Sequence, residues 1–192
     1  MDTVGPLTIV IGTGGRAAEL PLDRIASTIA QNLFIYFGAD VEILYDYEAK
    51  PTRLSGNVIC LGMEDENIFL ADALRAYAAK NRRFPIRTGS GGILVKDVDF
   101  QIKYKGNGVG GIYLHPLPRE GLLLCICGTD LAGVERAARL FPYRTGAGQP
   151  DWIVVGPKMG IQGLQGVKAM GYYSNLWDIE SDVSYWSYLD AT

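Results

Sequence analysis

Residue types that carry metal binding and acid–base chemistry are scarce in this chain. Its 192 residues include one histidine, His115, and three cysteines, Cys60, Cys125 and Cys127. The cysteines all lie in apolar runs and form no Cys-x-x-Cys pair, so they are expected to be reduced thiols in the core. No metal site and no other cofactor are therefore predicted. A chain of this length buries roughly 70% of its unfolded surface and needs neither a metal nor a disulfide to fold.

Two further absences bear on partners. Lys and Arg together number 18 and Asp and Glu 21, giving a net charge of −3, so no nucleic-acid partner is predicted. No apolar run approaches the roughly 20 residues of a membrane span, so no membrane partner is predicted either. Residues 1–6 lack the basic and apolar regions of a signal peptide, which by itself predicts a cytoplasmic location or a piece of a longer protein.

The motifs of hydrolases are also missing. Ser90 has Thr88 two positions before it, so the sequence Gly-x-Ser-x-Gly does not occur. Ser90, Asp99 and His115 follow one another in a hydrolase-like order, but they fall within one predicted hairpin region and not at a turn between a strand and a helix. We therefore predict no catalytic residue, and the chain by itself is expected not to be an enzyme.

Glycine, in contrast, is abundant, with 24 residues separating short apolar segments. Apolar, β-branched runs predict buried strands over residues 7–11, 41–45, 58–62, 122–127 and 152–156. Amphipathic segments between them predict helices that begin at Asp23, Asn67 and Asp130. This alternation predicts an α/β fold whose sheet is mostly parallel, doubly wound and flavodoxin-like.

The first predicted helix runs to Phe37, and its buried stripe is expected to contain Ile25, Ile29, Leu33 and Tyr36. The third is expected to extend from Asp130 to Phe141. The chain is predicted to form one domain over residues 1–192. Within it, residues 85–118 are expected to form inserted antiparallel hairpins, and residues 158–192 a tail rich in aromatic side chains.

A glycine-rich segment after the first predicted strand is a candidate ligand site. Backbone amides of such a turn can bind an anion, with an arginine as the counter-charge. Position 17 is alanine and no Gly-Lys-Ser/Thr follows, so neither a dinucleotide site nor a Walker loop is predicted. Asn67 and Asp130 also follow predicted strands, at the sheet edge where α/β proteins bind ligands. The candidate glycine segment consists of Gly12, Thr13, Gly14, Gly15 and Arg16.

Aromatic and charged residues near the C-terminus suggest further roles. Trp177 and Trp186 are candidates for stacking on sugar rings, although covering the sheet or docking onto a neighbouring domain is the favoured interpretation. Arg139 and Arg144 are expected to pair with Asp130 or Asp151, which would tie the last predicted helix to the last predicted strand.

Several segments together resemble the C-terminal domain of large secreted fungal proteins of the α/β-hydrolase fold, of the prolyl-oligopeptidase or esterase-like type. The resemblance implies an extracellular location and a hydrolase domain of the same parent chain as the partner. No catalytic residue of that family matches this sequence. The segments are Gly5-Pro6-Leu7-Thr8-Ile9-Val10, Gly12-Thr13, Ile35-Tyr36-Phe37, Asp40-Val41-Glu42-Ile43, Gly56-Asn57-Val58-Ile59, Asn67, Gly128-Thr129-Asp130, Arg139-Leu140-Phe141-Pro142, Arg144-Thr145-Gly146, Pro150-Asp151-Trp152-Ile153-Val154, Gly171-Tyr172-Tyr173 and Trp177.

Three hypotheses about function follow from these observations. The first is a non-catalytic accessory or interaction domain of a larger secreted hydrolase. The second is a small-ligand-binding or enzymatic domain that uses the carboxyl edge of the sheet. The third is a carbohydrate-binding module that uses its C-terminal aromatic residues.

Overall fold

The structure is a computed structural model that describes residues 6–79, 83–97, 100–117, 121–142 and 149–187. Gly5, Asp99 and Arg144, which entered the sequence interpretation, lie outside the described residues. The chain divides into two compact units: unit 1 contains Met1–Arg83 and Leu114–Ile126, and unit 2 contains Phe84–Tyr113 and Cys127–Thr192. The expectation of a single domain stays a prediction.

The regular elements of the described residues are short strands and four α-helices. The strands are β1 (Leu7–Ile11), β2 (Val41–Tyr45), β3 (Asn57–Leu61), β4 (Ile86–Gly89), β5 (Gly92–Lys96), β6 (Gln101–Tyr104), β7 (Gly110–Pro116), β8 (Leu122–Gly128), β9 (Trp152–Val155), β10 (Val167–Gly171) and β11 (Tyr185–Trp186). The helices are α1 (Leu22–Phe37), α2 (Ile68–Ala78), α3 (Leu131–Ala138) and α4 (Met159–Gln162). None of these helices is both long enough and apolar enough to cross a bilayer.

The strands form two sheets, and the larger one is mixed. Its strand order is β11-β10-β9-β7-β8-β3-β1-β2, while β4, β5 and β6 form a separate antiparallel sheet. Parallel ladders join β2 to β1, β1 to β3 and β3 to β8. The ladders between β7 and β9, β9 and β10, and β10 and β11 are antiparallel. The prediction of a mostly parallel, doubly wound, flavodoxin-like sheet is therefore wrong, whereas the antiparallel hairpins predicted within residues 85–118 are confirmed for β4 to β6.

Strand β7 explains this error. Gly110 and Gly111 have the composition of a turn, yet both lie inside β7. A Cβ atom on Gly110 would collide with the carbonyl oxygen of Gly133 in α3, so glycine at this position lets the helix approach the strand closely. Because β7 lies between β8 and β9 in the strand order, β9 pairs antiparallel with β7 although it follows a helix.

The core of unit 1 forms around β1 and β3, in which every residue after the first is buried. Helix α1 buries Leu22, Ile25, Ala26, Ile29 and Leu33. Its N-cap is Pro21, so Asp23 does not begin the helix as predicted but lies in the first turn. Gly38 ends the helix in the left-handed conformation, with φ of 64°, as the sequence indicates.

Unit 2 has its own apolar core. All four residues of β9 are buried, and Trp152 is fully enclosed. Helix α3 ends at Ala138, three residues before the predicted end at Phe141. The expectation that the three cysteines are thiols in the core is confirmed, since Cys60, Cys125 and Cys127 are all buried and none of the three is in a disulfide.

Candidate functional site

The candidate ligand site in unit 1 consists of two loops at the carboxyl ends of β1 and β3. We call residues 12–16 the glycine loop and residues 62–67 the β3–α2 loop. The amide of Gly14 donates to the carbonyl oxygen of Glu66 at 2.9 Å. A Cβ atom on Gly12 would lie 2.7 Å from that same oxygen, closer than side chains normally come to a backbone atom. The glycines therefore let the two loops pack against each other.

Arg16, the predicted counter-charge of a bound anion, is already paired. Its Nε and Nη2 atoms both lie 3.1 Å from Oε1 of Glu66. The Glu66 side chain is 5% exposed, whereas that of Arg16 is 44% exposed. The second carboxylate oxygen of Glu66 accepts a hydrogen bond from the amide of Met63 at 3.1 Å. The negative charge beside Arg16 is thus supplied by the protein itself.

Asp46 is a central residue of this edge that the sequence analysis missed. It follows β2 directly and is 1% exposed. The Thr13 hydroxyl donates to one carboxylate oxygen at 2.7 Å, and the amide of Ile68 donates to the other at 2.8 Å. In dinucleotide-binding folds an acidic residue near the end of the second strand binds a ribose. In this chain the residue at that position joins the glycine loop to the start of α2. The sequence signal that could have identified it is an acidic residue directly after a predicted strand.

Asn67 also connects elements of this edge, and it is 1% exposed. Its side-chain oxygen accepts from the amide of Leu70 at 3.0 Å, which confirms the predicted cap of α2. Its side-chain nitrogen donates to the carbonyl oxygens of Leu61 at 3.0 Å and Val10 at 3.5 Å. The buried polar groups of the edge therefore hold β1, β3 and α2 together, and binding of a ligand there stays a prediction.

Asp130 belongs to unit 2, where it has two backbone partners. One carboxylate oxygen accepts from the amide of Gly133 at 2.8 Å, confirming the predicted cap of α3, and the other accepts from the amide of Gly108 at 2.8 Å. The neighbouring Thr129 hydroxyl donates to the carbonyl oxygen of Gly106 at 2.7 Å. The sequence Gly-Thr-Asp at the end of β8 therefore holds the turn at residues 106–108 in place.

The ion pairs expected of Arg139 do not form within the described residues. Arg139 is exposed and caps the end of α3. Asp151 accepts a hydrogen bond from the amide of Tyr173 at 2.9 Å, and Asp130 accepts from backbone amides as described above. Both carboxylates thus organise backbone segments of unit 2. Arg144, the other predicted partner, lies outside the described residues.

Trp177 lies in a group of packed rings and is half-buried. Its ring centroid is 5.5 Å from that of Tyr173 and 6.4 Å from that of Phe84. Its backbone is left-handed, with φ of 67°, a conformation that is uncommon for a bulky residue. The indole therefore packs within unit 2, and stacking on a sugar stays a prediction.

Trp186 is also half-buried among rings of unit 2. Its centroid is 4.9 Å from Phe100 in an edge-to-face arrangement and 5.3 Å from Trp152. These contacts are of the kind expected when aromatic side chains cover the sheet of their own unit.

His115 is fully buried in unit 1, with its ring centroid 5.3 Å from that of Tyr77. Burial lowers the pKa of His115 to about 4, so the imidazole is neutral at neutral pH. Ser90 lies in the turn between β4 and β5 in unit 2. The described residues include no group of three or more His, Cys, Asp or Glu side chains that could hold a metal ion.

A second candidate site, which no sequence pattern predicted, is the exposed apolar end of α1. Phe34, Ile35, Tyr36 and Phe37 are each between 50% and 61% exposed. Tyr36 therefore lies outside the buried stripe predicted for it, which ends at Leu33. Four consecutive residues extend around the whole circumference of a helix, so they cannot all face one core. Exposed apolar patches of this kind mark contact surfaces in soluble proteins.

Comparison with known proteins shows that the chain is similar in sequence to a secreted fungal protein. No protein-family model matches the sequence. It is 35% identical over 190 residues to a protein of Arthroderma benhamiae described as an uncharacterized secreted protein. The match covers 94% of this chain but 18% of that relative, so the chain spans less than a fifth of the relative's length. The relative confirms the predicted similarity to a large secreted fungal protein, whereas the α/β-hydrolase fold of a parent chain and a C-terminal position in it stay predictions. It also supports the extracellular alternative of the two predicted locations.

Proposed function

We propose that this chain is a non-catalytic interaction module of a larger secreted fungal protein. The observation that carries the proposal is the apolar end of α1, where four consecutive large side chains at residues 34–37 are at least half exposed. Apolar area removed from water is worth roughly 25 cal/mol per Å², so such a surface favours contact with another protein surface.

The chemistry of the sheet edge supports the same function. The groups suited to bind a ligand there bond instead to one another, in the Arg16–Glu66 ion pair and the Thr13–Asp46 hydrogen bond. A buried polar group that already has its partner contributes to the architecture and has less to offer a ligand. The edge is thus better suited to holding loops in place than to catalysis.

The length of the relative supports placement within a larger protein. More than four-fifths of that secreted protein lies outside the matched region. In keeping with the family resemblance, we propose that the partner is a hydrolase domain of the same polypeptide. The module would then contribute a surface, while bond-breaking chemistry would belong to the partner.

Assays of the purified chain with nitrophenyl esters and chromogenic peptides test the proposal. We expect no turnover above that of a Ser90→Ala variant, which alters an exposed turn and should fold normally. A His115→Ala variant serves as a second comparison if circular dichroism shows that it is folded. Hydrolysis by the unaltered chain that is lost in either variant would overturn the proposal.

A further inference from the structure

Helix α1 covers its own side of β2, the last strand in the sheet order, only in part. The Tyr45 hydroxyl donates to Asp23 of α1 at 3.2 Å, so the Tyr45 side chain lies on the same side of the sheet as the helix. Because side chains alternate along a strand, Val41 and Ile43 lie on that side as well. Ile43 and Tyr45 are nevertheless 40% and 38% exposed, which shows that α1 covers them only in part.

Helix α1 supplies further exposed apolar side chains beside β2. Residues 27, 30, 34 and 37 follow Asp23 at steps of four, three, four and three, so they form one stripe along α1 on the side of Tyr45. Ser27 and Ala30 are small, whereas Phe34 and Phe37 project from the end of the stripe and are exposed. We call the exposed surface that this stripe and residues 41, 43 and 45 form together the α1–β2 groove.

Strand β2 is more exposed than the strands beside it. As the last strand of the sheet it has exposed or half-buried positions throughout, whereas β1 and β3 are buried after their first residue.

The edge of β2 favours a helix over an added strand as the occupant. An incoming strand needs free backbone amides along the edge. The amide of Tyr45 already donates to the Glu48 carboxylate at 2.8 Å, so a charged side chain covers one end of that edge. Apolar side chains of a helix, in contrast, need only the exposed side chains of the α1–β2 groove.

We propose that the α1–β2 groove receives an amphipathic helix from the polypeptide that flanks these residues in the longer secreted protein. The proposal rests on the proposed function and names the surface and the partner that it uses. The relative, of which more than four-fifths lies outside the match, has ample chain to supply such a helix. Five residues of β2 span roughly 16 Å, which matches roughly ten to eleven helical residues.

The charges around the groove define the partner further. Asp23 and Glu48 lie at one end, beside Tyr45, and Asp40 precedes β2 at the other, and all three are exposed acidic side chains. Complementary charge on a partner steers association and suppresses wrong pairings. The docking helix is therefore expected to have an apolar face bordered by lysine or arginine.

Photo-crosslinking in the complete secreted gene product tests the proposal. Benzoylphenylalanine replaces Phe34 in one version and Ile161, which is 91% exposed in unit 2, in a control version. We expect the probe at position 34 to crosslink to a segment of the same molecule outside residues 1–192, with an amphipathic helical sequence and a basic border. The control position should give roughly tenfold less of that product.

A charge placed in the groove provides a second readout. With the probe at position 34, crosslinking should fall roughly tenfold in an Ile43→Lys variant, because the lysine would be buried without an acidic partner against a helix with a basic border. A Leu164→Lys variant, which alters an exposed residue of unit 2, should leave this crosslinking unchanged. Ile43 is already largely exposed, so its substitution should not prevent folding.

The results that would overturn the groove proposal differ from those that would overturn the module function. Absence of a crosslink from position 34, a crosslink to a second copy of the chain, or a crosslink to a segment without the helical pattern would overturn the groove proposal. Crosslinks from position 161 but not from position 34 would overturn the groove proposal. They would agree with the module function, with a different surface in contact with the partner. Substrate turnover by the chain alone would remove the module function itself.

Discussion

The guanidinium of Arg16 lies 3.1 Å from the carboxylate of Glu66 and joins the loop after β1 to the loop after β3. Both loops begin at the carboxyl ends of parallel strands, where α/β proteins commonly bind ligands. In this chain the pair serves to hold the edge together, and its energetic contribution can be measured.

Removal of Arg16 should destabilise the chain modestly. An Arg16→Met variant leaves the buried Glu66 carboxylate without its ion-pair partner. Because Arg16 is partly exposed, we expect a loss of about 1–2 kcal/mol, less than for a fully buried pair. Urea unfolding measures the loss, and Arg53→Met, at an exposed position in a turn, is the control. Equal stability of the two variants would show that the pair contributes nothing.

The close approach of the two loops predicts a marked effect at Gly12. A Gly12→Ala variant places a methyl group 2.7 Å from the Glu66 carbonyl oxygen, so the loops must separate. We expect a loss of about 1–3 kcal/mol, as for overpacking in a core. A Gly160→Ala variant, where a Cβ atom meets nothing within 4 Å, should change stability little. Thermal unfolding of both variants makes the comparison, and a tolerated Gly12→Ala would contradict the loop packing.

The buried imidazole of His115 predicts a dependence of stability on pH. Burial lowers its pKa to about 4 from the usual 6.5, so the unfolded chain binds a proton at a higher pH than the folded chain does. Above pH 6.5 its contribution to stability is complete. As the pH falls from about 6.5 to 4, that contribution decreases by about 3 kcal/mol.

A variant without the titrating group isolates this effect. Between pH 7 and pH 4 the unaltered chain should lose about 3 kcal/mol more of its free energy of unfolding than a His115→Phe variant does. Urea unfolding at several pH values provides the measurement. Parallel pH profiles for the two proteins would show that His115 is not held neutral by burial.

The exposed end of α1 should contribute little to the fold of the chain itself. Replacing Phe34 and Phe37 together by glutamine should change the free energy of unfolding by less than about 0.5 kcal/mol, since both side chains are at least half exposed. The buried neighbour Leu33 is the matched comparison, and Leu33→Ala should lose about 2–5 kcal/mol. A large loss in the glutamine variant would place these phenylalanines in the core and remove them as a docking surface.

Local signals in the sequence predicted much of the structure. The apolar runs predicted β1 and β2 with their boundaries, and the polar caps Asn67 and Asp130 accept the backbone hydrogen bonds expected of them. These features depend on residues a few positions apart, so propensity and capping chemistry suffice to predict them.

Features that depend on distant residues were missed. Gly110 and Gly111 have the composition of a turn, and their place inside β7 depends on how closely Gly133 of α3 approaches. The strand order and direction of the antiparallel half follow from such long-range packing. Asp46 was missed for a related reason, since a single acid after a strand shows its role only when Thr13 and Ile68 are brought to it.

Hydrogen exchange of residues 34–45, measured by mass spectrometry, decides whether the end of α1 and strand β2 contact a partner. The isolated chain is compared with the complete secreted gene product under the same conditions. If the apolar end of α1 and the adjoining edge strand form a docking surface, amides in this segment should exchange at least roughly tenfold more slowly in the complete protein. The segment at residues 159–166 is the internal control. Equal exchange of residues 34–45 in the two proteins would show that this segment is not a docking surface.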